Sequence, residues 1–369
     1  MLFRSNQLAL AAGFGCVRRF NAAIRGIYKR TPTQIRQLAH QKTNEPENQY
    51  VFHLRFRPPY HWQGMLEFLA ARATPGVEAV ESGTYSRSIS LDGVAGSLAV
   101  SLEEGQDSLK VRIQFGDPRA LFFIVGRVRT MFDLNADWTD IARILKSDPI
   151  LAQRVDAAPG LRVPGCWNGF ELATRAILGQ QISVRGATTR AGRIAKSFGQ
   201  TFPGTGRLTH LFPLPEALAD ADLSSIGLPK ARQQTIRALA RAVCEGRIRF
   251  EGIVESESFL QRLMEIPGIG RWTAQYVAMR ALGEPNAFPV GDVALLSALK
   301  LTNHAELERH SAAWRPWRAY ATMYLWRDPS DSGAQGKTQK PSTARKQSAG
   351  RTGQNLPKPD QIAAAGLNL

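Results

Sequence analysis

Residues 263–299 read LMEIPGIGRWTAQYVAMRALGEPNAFPVGDVALLSAL, and this stretch decides the fold. Just upstream and into it, Phe259 to Ile266 (FLQRLMEI) spaces its apolar residues along one helical face, with no internal Gly or Pro. Pro267 ends that helix, because proline lacks the N–H that a continuing helix needs. Gly268 and Gly270 permit a tight turn and leave no side chain over its amides. A second helix is expected from near Arg271 through Met279. Exposed amides at such a turn, Gly268-Ile269-Gly270, form an anion site. Pro267 to Gly270 also reads as a plain helix–helix connection with a glycine C-cap.

The residues after the turn narrow the choice. Trp272 and Tyr276 are four apart and share one helical face. They read as a core stripe beside Val277 and Ala281, or as a platform on which an extruded base stacks. Asp292 closes Phe288-Pro289-Val290-Gly291-Asp292 and precedes the apolar run Val293 to Leu299. That is an N-cap position. Capping does not exclude chemistry, since a helix N-terminus also favours a negatively charged side chain.

These residues together resemble the helix-hairpin-helix, Gly/Pro-rich loop and aspartate motif of the base-excision DNA glycosylase superfamily, and within it the AlkA-type 3-methyladenine DNA glycosylase II family. The resemblance extends over roughly Val51 to Arg327. Trp314-Arg315-Pro316-Trp317-Arg318-Ala319-Tyr320 and the segment ending at Trp326 resemble the family's last core helix. FELATRAILGQQIS, Phe170 to Ser183, resembles its first, and Gly227 to Arg232 (GLPKAR) a turn between. The resemblance implies that Asp292 is the catalytic carboxylate and that Trp272, Tyr276 and Trp326 line the base pocket. It implies that Gly268, Ile269 and Gly270 offer amides to a phosphate, often in the family with a monovalent cation bound at the hairpin backbone; no other cofactor is expected. The loop at Gln180, Gln181 and Ile182 would supply the wedge that fills the gap left by a flipped nucleotide. The family has an apolar wedge there; this chain has Gln181, so the wedge is Gln181 or Ile182.

The resemblance also separates two reaction types. Members that cut the strand carry a lysine just after the Gly-Arg of the hairpin, whose amine forms a Schiff base. Trp272 stands there, so hydrolysis by water without strand cleavage is expected. The superfamily's iron–sulfur loop needs four clustered cysteines, and this chain has only Cys16, Cys166 and Cys244. Cleaving an N-glycosidic bond builds positive charge on the sugar, which a carboxylate beneath it stabilises where water is excluded. Alkylated purines such as 3-methyladenine and 7-methylguanine are cationic and need no acid to leave. Aromatic rings favour such cations by about 0.5–2 kcal/mol per contact.

The start of the chain reads differently. Asn6 to Arg36 (NQLALAAGFGCVRRFNAAIRGIYKRTPTQIR) resembles the second helix-turn-helix of AraC-type DNA-binding domains. The resemblance makes Gly13-Phe14 the turn and Val17 to Ile24 the recognition helix, with Arg18, Arg19 and Arg25 towards DNA. Phe20, Ile24 and Tyr28 would pack inwards, and Thr31-Pro32 would open a closing helix. The alternative is an amphipathic basic helix with no groove role. The family unit has two such elements, and only one is present. Ada-type fusions place a regulator of this kind before an AlkA-type glycosylase. A late start codon or a decayed fusion is the expectation.

Charge supports a nucleic-acid partner. The formal net charge is +16 and the pI near 10.3. Residues 1–43 carry eight Lys/Arg and no Asp/Glu, and residues 329–369 six Lys/Arg against two Asp, which leaves +4 for residues 44–328. Non-specific affinity is thus expected from the two ends. No apolar run of the roughly 20 residues that a span requires is present, and the N-terminus lacks a signal-peptide core. The six histidines show no ligand spacing, so no metal held by side chains is expected.

The expected organisation is an α+β chain. Residues 1–43 form the partial AraC-type unit and 44–49 a polar linker. Residues 50–125 form a small antiparallel-sheet domain, 126–328 an all-α helix-hairpin-helix glycosylase core, and 329–369 a disordered basic tail. Strand alternation is clear in Phe52/Leu54/Phe56, Leu98/Val100/Leu102 and Leu109/Val111/Ile113/Phe115, with Gly105-Gln106-Asp107 as a hairpin loop and Gln63 to Ala73 as a helix. Nothing in this domain reads as catalytic, so its role is scaffolding. The functional expectation is a monomeric, monofunctional glycosylase acting on alkylated purines in double-stranded DNA, in a bacterial cytoplasm at the nucleoid. The alternative is a DNA-binding regulator or lesion sensor of the Ada/AraC type.

Overall fold

The computed structural model describes residues 17–28, 30–31, 33–34, 48–204, 206–252 and 254–327. The expectations for residues 1–16, for the linker up to residue 47 and for the tail from 329 lie outside the described residues.

Helix α1 (Val17–Tyr28) contains the segment Val17 to Ile24 read as a recognition helix and runs one turn beyond it, with Arg18, Arg19 and Arg25 exposed. The inward packing expected of Phe20, Ile24 and Tyr28 falls outside the described side chains. Val17 is half-buried at the margin of the sheet core, so α1 lies against strand β1 (Gln49–Arg55). Thr31 and Gln34 cap each other: Gln34 N donates to Thr31 Oγ1 (3.1 Å) and Thr31 N to Gln34 Oε1 (2.8 Å). Gln49, placed in the linker by sequence, pairs with Gln114 as the first residue of β1.

Five antiparallel strands follow the order β1-β5-β4-β3-β2, with β2 Glu78–Glu81, β3 Thr84–Leu91, β4 Val94–Leu102 and β5 Ser108–Phe115. The expected alternation is met by Phe52, Leu54, Leu98, Val100, Leu109, Val111, Ile113 and Phe115, buried on one face, but not at the strand ends, where Leu102 is exposed and Phe56 half-buried beyond β1. Leu54 sits opposite Leu109 and Phe52 opposite Val111. Strands β2 and β3 have no such pattern in sequence, being rich in Ser, Glu and Arg. Helix α2 (Trp62–Arg72) covers the sheet with Trp62, Met65, Leu66 and Leu69, while its Phe68 points into the neighbouring helical core.

The helices of seven or more residues that follow are α3 (Leu121–Met131), α4 (Trp138–Leu145), α5 (Pro149–Ala157), α6 (Gly169–Leu178), α7 (Val184–Phe198), α8 (Lys230–Cys244), α9 (Ser256–Met264), α10 (Arg271–Val277), α11 (Val293–Leu299), α12 (His304–Ser311) and α13 (Arg318–Trp326). A domain boundary at 125/126 would cut α3. The buried face of that helix (Leu121, Ile124, Val125, Val128, Met131), with Phe132, Leu134 and Trp167 beyond it, belongs to the sheet core, so the first unit extends further. The second hairpin helix also departs from expectation. It is α-helical to Val277 and widens into a π-turn over Ala278–Leu282, closed by Gly283 at φ +68°.

Sheet and helices are joined by a buried charge cluster. Glu78 of β2 accepts from Tyr85 Oη (2.6 Å), Thr74 N (2.9 Å) and Arg175 Nη1 (2.7 Å). Arg87 of β3 donates to Glu171 of α6 (2.7 Å) and lies 3.7 Å from Glu78. Arg175 on α6 also donates to the carbonyl of Arg72, tying down the end of α2.

Candidate functional site

The hairpin is built as its residues dictate. Gly268 has φ +91°, and a Cβ there would stand 2.2 Å from Thr235 Oγ1, so only glycine fits. Thr235 Oγ1 instead donates to the Pro267 carbonyl (2.8 Å), fastening α8 to the turn. Ile269 is buried and its amide donates to the Ile266 carbonyl (3.0 Å). That corrects the expected trio of free amides: Ile269 is a core residue with a committed N–H, and the exposed backbone of the turn belongs to Gly268 and Gly270.

Trp272, Tyr276, Trp326 and Asp292 come together in one cleft of about 370 Å³. The Trp272 and Tyr276 rings are offset-stacked, 5.4 Å apart and 7° from parallel. Trp326 leans on Tyr276 at 6.1 Å and 49°. All three are half-buried, each keeping ring surface open. The first two rings are too close for a base to slide between them, so a base must stack on an open face.

Asp292 is both a cap and a cleft residue. Its Oδ1 accepts from Ala294 N (2.9 Å) and Leu295 N (3.2 Å) at the start of α11. Its Oδ2 accepts from Trp272 Nε1 (3.0 Å). The two readings of this residue are therefore compatible: one oxygen is held by the helix and the other by the aromatic wall. Gln275 Oε1 accepts from Phe288 N (3.0 Å), anchoring the loop that carries Asp292 to the same hairpin helix.

The 180–182 loop divides its labour. Gln180 turns inwards, its Nε2 donating to the Gly268 carbonyl (2.9 Å) and to Thr273 Oγ1 (3.0 Å), so its amide nitrogen braces the hairpin. Gln181 stands exposed at the tip with φ +58°. Ile182 is half-buried and lines the cleft. Arg18, Arg19 and Arg25 lie on α1, outside this cleft.

Several cleft residues have no counterpart in the sequence expectations. Arg280, buried in the π-turn, donates to the carbonyls of Pro164 (2.7 Å) and Gly165 (2.9 Å) and to Tyr276 Oη (2.8 Å). Burial alone would raise the Tyr276 phenol, but Arg280 and Arg72 outweigh it and hold its pKa below the ordinary value. Arg72 reaches the cleft from α2, so the sheet domain contributes a side chain to its wall. Arg280 had one visible signal, a lone charge inside the apolar run VAMRAL. Arg72 had none, since an arginine at a helix C-terminus reads as an ordinary partner of the helix dipole.

Comparisons with known proteins agree with this geometry. Residues 51–168 match the family model described as the AlkA N-terminal domain. The chain is 38% identical over 328 residues to the "probable bifunctional transcriptional activator/DNA repair enzyme AlkA" of Mycobacterium tuberculosis, covering 87% of this chain and 66% of that protein's length. It is 32% identical over 279 residues to DNA-3-methyladenine glycosylase 2 of Escherichia coli, covering 75% of this chain and 96% of the relative. In fold it is similar to the 3-methyladenine DNA glycosylase of Archaeoglobus fulgidus, with a TM-score of 0.65 at 23% identity over 74% of this chain and 96% of the other. With the hairpin, the aromatic cleft and Asp292 in place, the chain belongs to the AlkA-type family of DNA-3-methyladenine glycosylases.

Proposed function

We propose that this protein is a monofunctional DNA glycosylase that takes an alkylated purine out of double-stranded DNA and hydrolyses its N-glycosidic bond, leaving an abasic site for base-excision repair. The observation that carries this reading is a carboxylate, Asp292, fixed by backbone amides and an indole N–H at the wall of an aromatic cleft. A flipped purine stacks on the open faces of Trp272, Tyr276 and Trp326 while Asp292 faces the deoxyribose. As the bond stretches, positive charge grows on the sugar and the fixed carboxylate stabilises it without reorganising. Water attacks from the open side of the cleft. No lysine among the described residues lines the cleft, and Trp272 occupies the place from which an amine would attack, so the strand stays intact.

The turn at Gly268 and Gly270 receives a phosphate of the backbone, and exposed Gln181 fills the vacated stack. The carbonyls of Ile266, Pro267 and Gly268 already accept from Ile269 N, Thr235 Oγ1 and Gln180 Nε2. The protein acts as a monomer on nucleoid DNA; no helix among the described residues is long and apolar enough to cross a membrane.

The test is release of free methylated purines from alkylated duplex DNA, native chain against Asp292→Asn. Asparagine keeps the cap, so folding and DNA binding should persist while release falls about 100- to 1000-fold. Equal release by both chains would remove Asp292 from the chemistry. A second reading, a DNA-binding regulator, draws on the exposed Arg18, Arg19 and Arg25 of α1. It requires a sequence-selective footprint that disappears when these three are neutralised.

A further inference from the structure

Three arginines line the cleft beside the aromatic rings: Arg72, Arg175 and Arg280. Two have their donors engaged. Arg280 is spent on two carbonyls and the Tyr276 hydroxyl. Arg175 is spent on Glu78 and the Arg72 carbonyl. Arg72 is different. Its guanidinium lies 3.8 Å from the centre of the Phe68 ring. Its one side-chain hydrogen bond to a carbonyl, to Phe68 O, is long at 3.4 Å. Its other partner is the Tyr276 hydroxyl, and the cations Arg280 and Arg175 stand nearby, so two contacts leave part of its five-N–H fork open.

A half-buried guanidinium with N–H groups to spare is a donor for an acceptor that enters the cleft. The planar fork suits an acceptor edge of a base better than a point contact. A 6-oxopurine brings a carbonyl oxygen to such a fork. A 6-aminopurine brings donors, which meet donors. Stacking on Phe68 fixes the guanidinium plane, and Arg175 fixes the backbone that carries it.

Resting on the glycosylase reading above, we propose that Arg72 is a specificity-determining residue that donates to the 6-oxygen of the flipped purine. It biases the cleft towards 6-oxopurines such as 7-methylguanine over 6-aminopurines such as 7-methyladenine. These two lesions share the cationic charge and the methyl position, so their ratio isolates the edge chemistry from the charge repulsion that Arg72 exerts on both.

The experiment measures both free bases released from methylated duplex DNA in single-turnover reactions, with the native chain, Arg72→Gln and Arg72→Lys. In Arg72→Gln the ratio of 7-methylguanine to 7-methyladenine release should fall roughly tenfold or more, the scale of one arginine–guanine contact. Arg72→Lys keeps the charge and the stem over Phe68 but loses the fork, and its ratio should fall between the two. An equal slowing of both bases in both variants overturns the proposal; a shallower salt dependence of DNA binding alongside it would move Arg72 to the phosphate backbone. Release by the native chain with an unchanged ratio in the variants overturns this proposal alone. No release of either base by the native chain overturns the glycosylase reading and this proposal with it.

Discussion

The hairpin wall of the cleft and the charge cluster behind it use similar residues to opposite ends. On the hairpin side, Trp272, Tyr276 and Asp292 come from one stretch of sequence and remain half-buried. On the sheet side, Glu78, Tyr85, Arg87, Glu171 and Arg175 come from elements as far as 97 residues apart and, apart from half-buried Arg175, are buried. Asp292 meets two amides and an indole, which orient it and leave its charge uncompensated. Glu78 meets two guanidiniums and a phenol, which compensate it fully. The first arrangement keeps charge available for a reaction; the second uses charge to lock two subdomains. Substitutions on the hairpin side should therefore change rate, and those on the sheet side should change stability.

The largest expected effect breaks the lock. Burial works against the Glu78 carboxylate, but Arg175 and Arg87 dominate and bring its pKa down to about 2. A depressed carboxylate contributes stability above the ordinary carboxylate range and loses it as pH falls towards that value. Glu78→Gln takes the buried carboxylate from half-buried Arg175 and buried Arg87, and losses of roughly 3–5 kcal/mol are usual when one partner of such a pair is removed. Urea unfolding at pH 7 measures this. A loss within experimental error would mean that the subdomains are held by apolar packing alone and that the contrast is false.

Asp133 tests the same contrast from the other side, as a carboxylate for which the nearby Arg162 cation does not outweigh burial. It follows α3 at φ +51°, accepts from Tyr320 Oη (2.7 Å), and is pushed by burial up to about 6. Here the folded chain holds a proton that the unfolded chain releases first. Stability is therefore greatest below the ordinary carboxylate range and declines as pH rises to about 6. Asp133→Asn retains the acceptor and tolerates the left-handed backbone. It should stabilise the protein by about 2 kcal/mol at pH 7.5 and flatten the profile between pH 4 and 6. A denaturation series across that window that leaves the native slope unchanged in the variant would remove Asp133 from the account.

Legibility in the sequence divides along the same line. The hairpin, its glycines, Asp292 and the aromatic wall lie within 37 consecutive residues, Trp326 apart, and local turn and helix chemistry is enough to place them. The alternation of β1, β4 and β5 is equally plain, because one face of each is apolar. Strands β2 and β3 are silent, because their buried residues include Glu78, Arg87 and Ser88, paired only in three dimensions. Gln180 reads as a DNA contact because nothing in GQQIS says which glutamine faces the hairpin carbonyl. Ile269 reads as a free donor because only the folded turn shows its amide consumed internally. Phe68 and Arg72 look like the inner face and the end of an amphipathic helix, and only the meeting of α2 with α6 and the π-turn brings Arg72 to the cleft and sets Phe68 beneath Arg72 and Arg280.

The smallest effect sharpens the comparison most, because it acts on one hydrogen bond. Trp272→Phe removes the indole N–H from Asp292 Oδ2 while keeping an aromatic ring beside Tyr276. The cap to Ala294 and Leu295 remains, so the carboxylate stays at the helix start but one oxygen can turn. If the fixed orientation of both oxygens is what lets Asp292 stabilise the charged sugar, excision should slow about tenfold, or about 1.4 kcal/mol in the barrier. Thermal stability should change little, since Trp272 is half-buried and the ring packing is largely conserved. Single-turnover release of 7-methylguanine reads the rate, and duplex binding by the Asp292→Asn, Trp272→Phe double variant reads the stacking contribution alone. A rate equal to that of the native chain would assign the orientation of Asp292 to its helix cap, and would leave Trp272 only its stacking face.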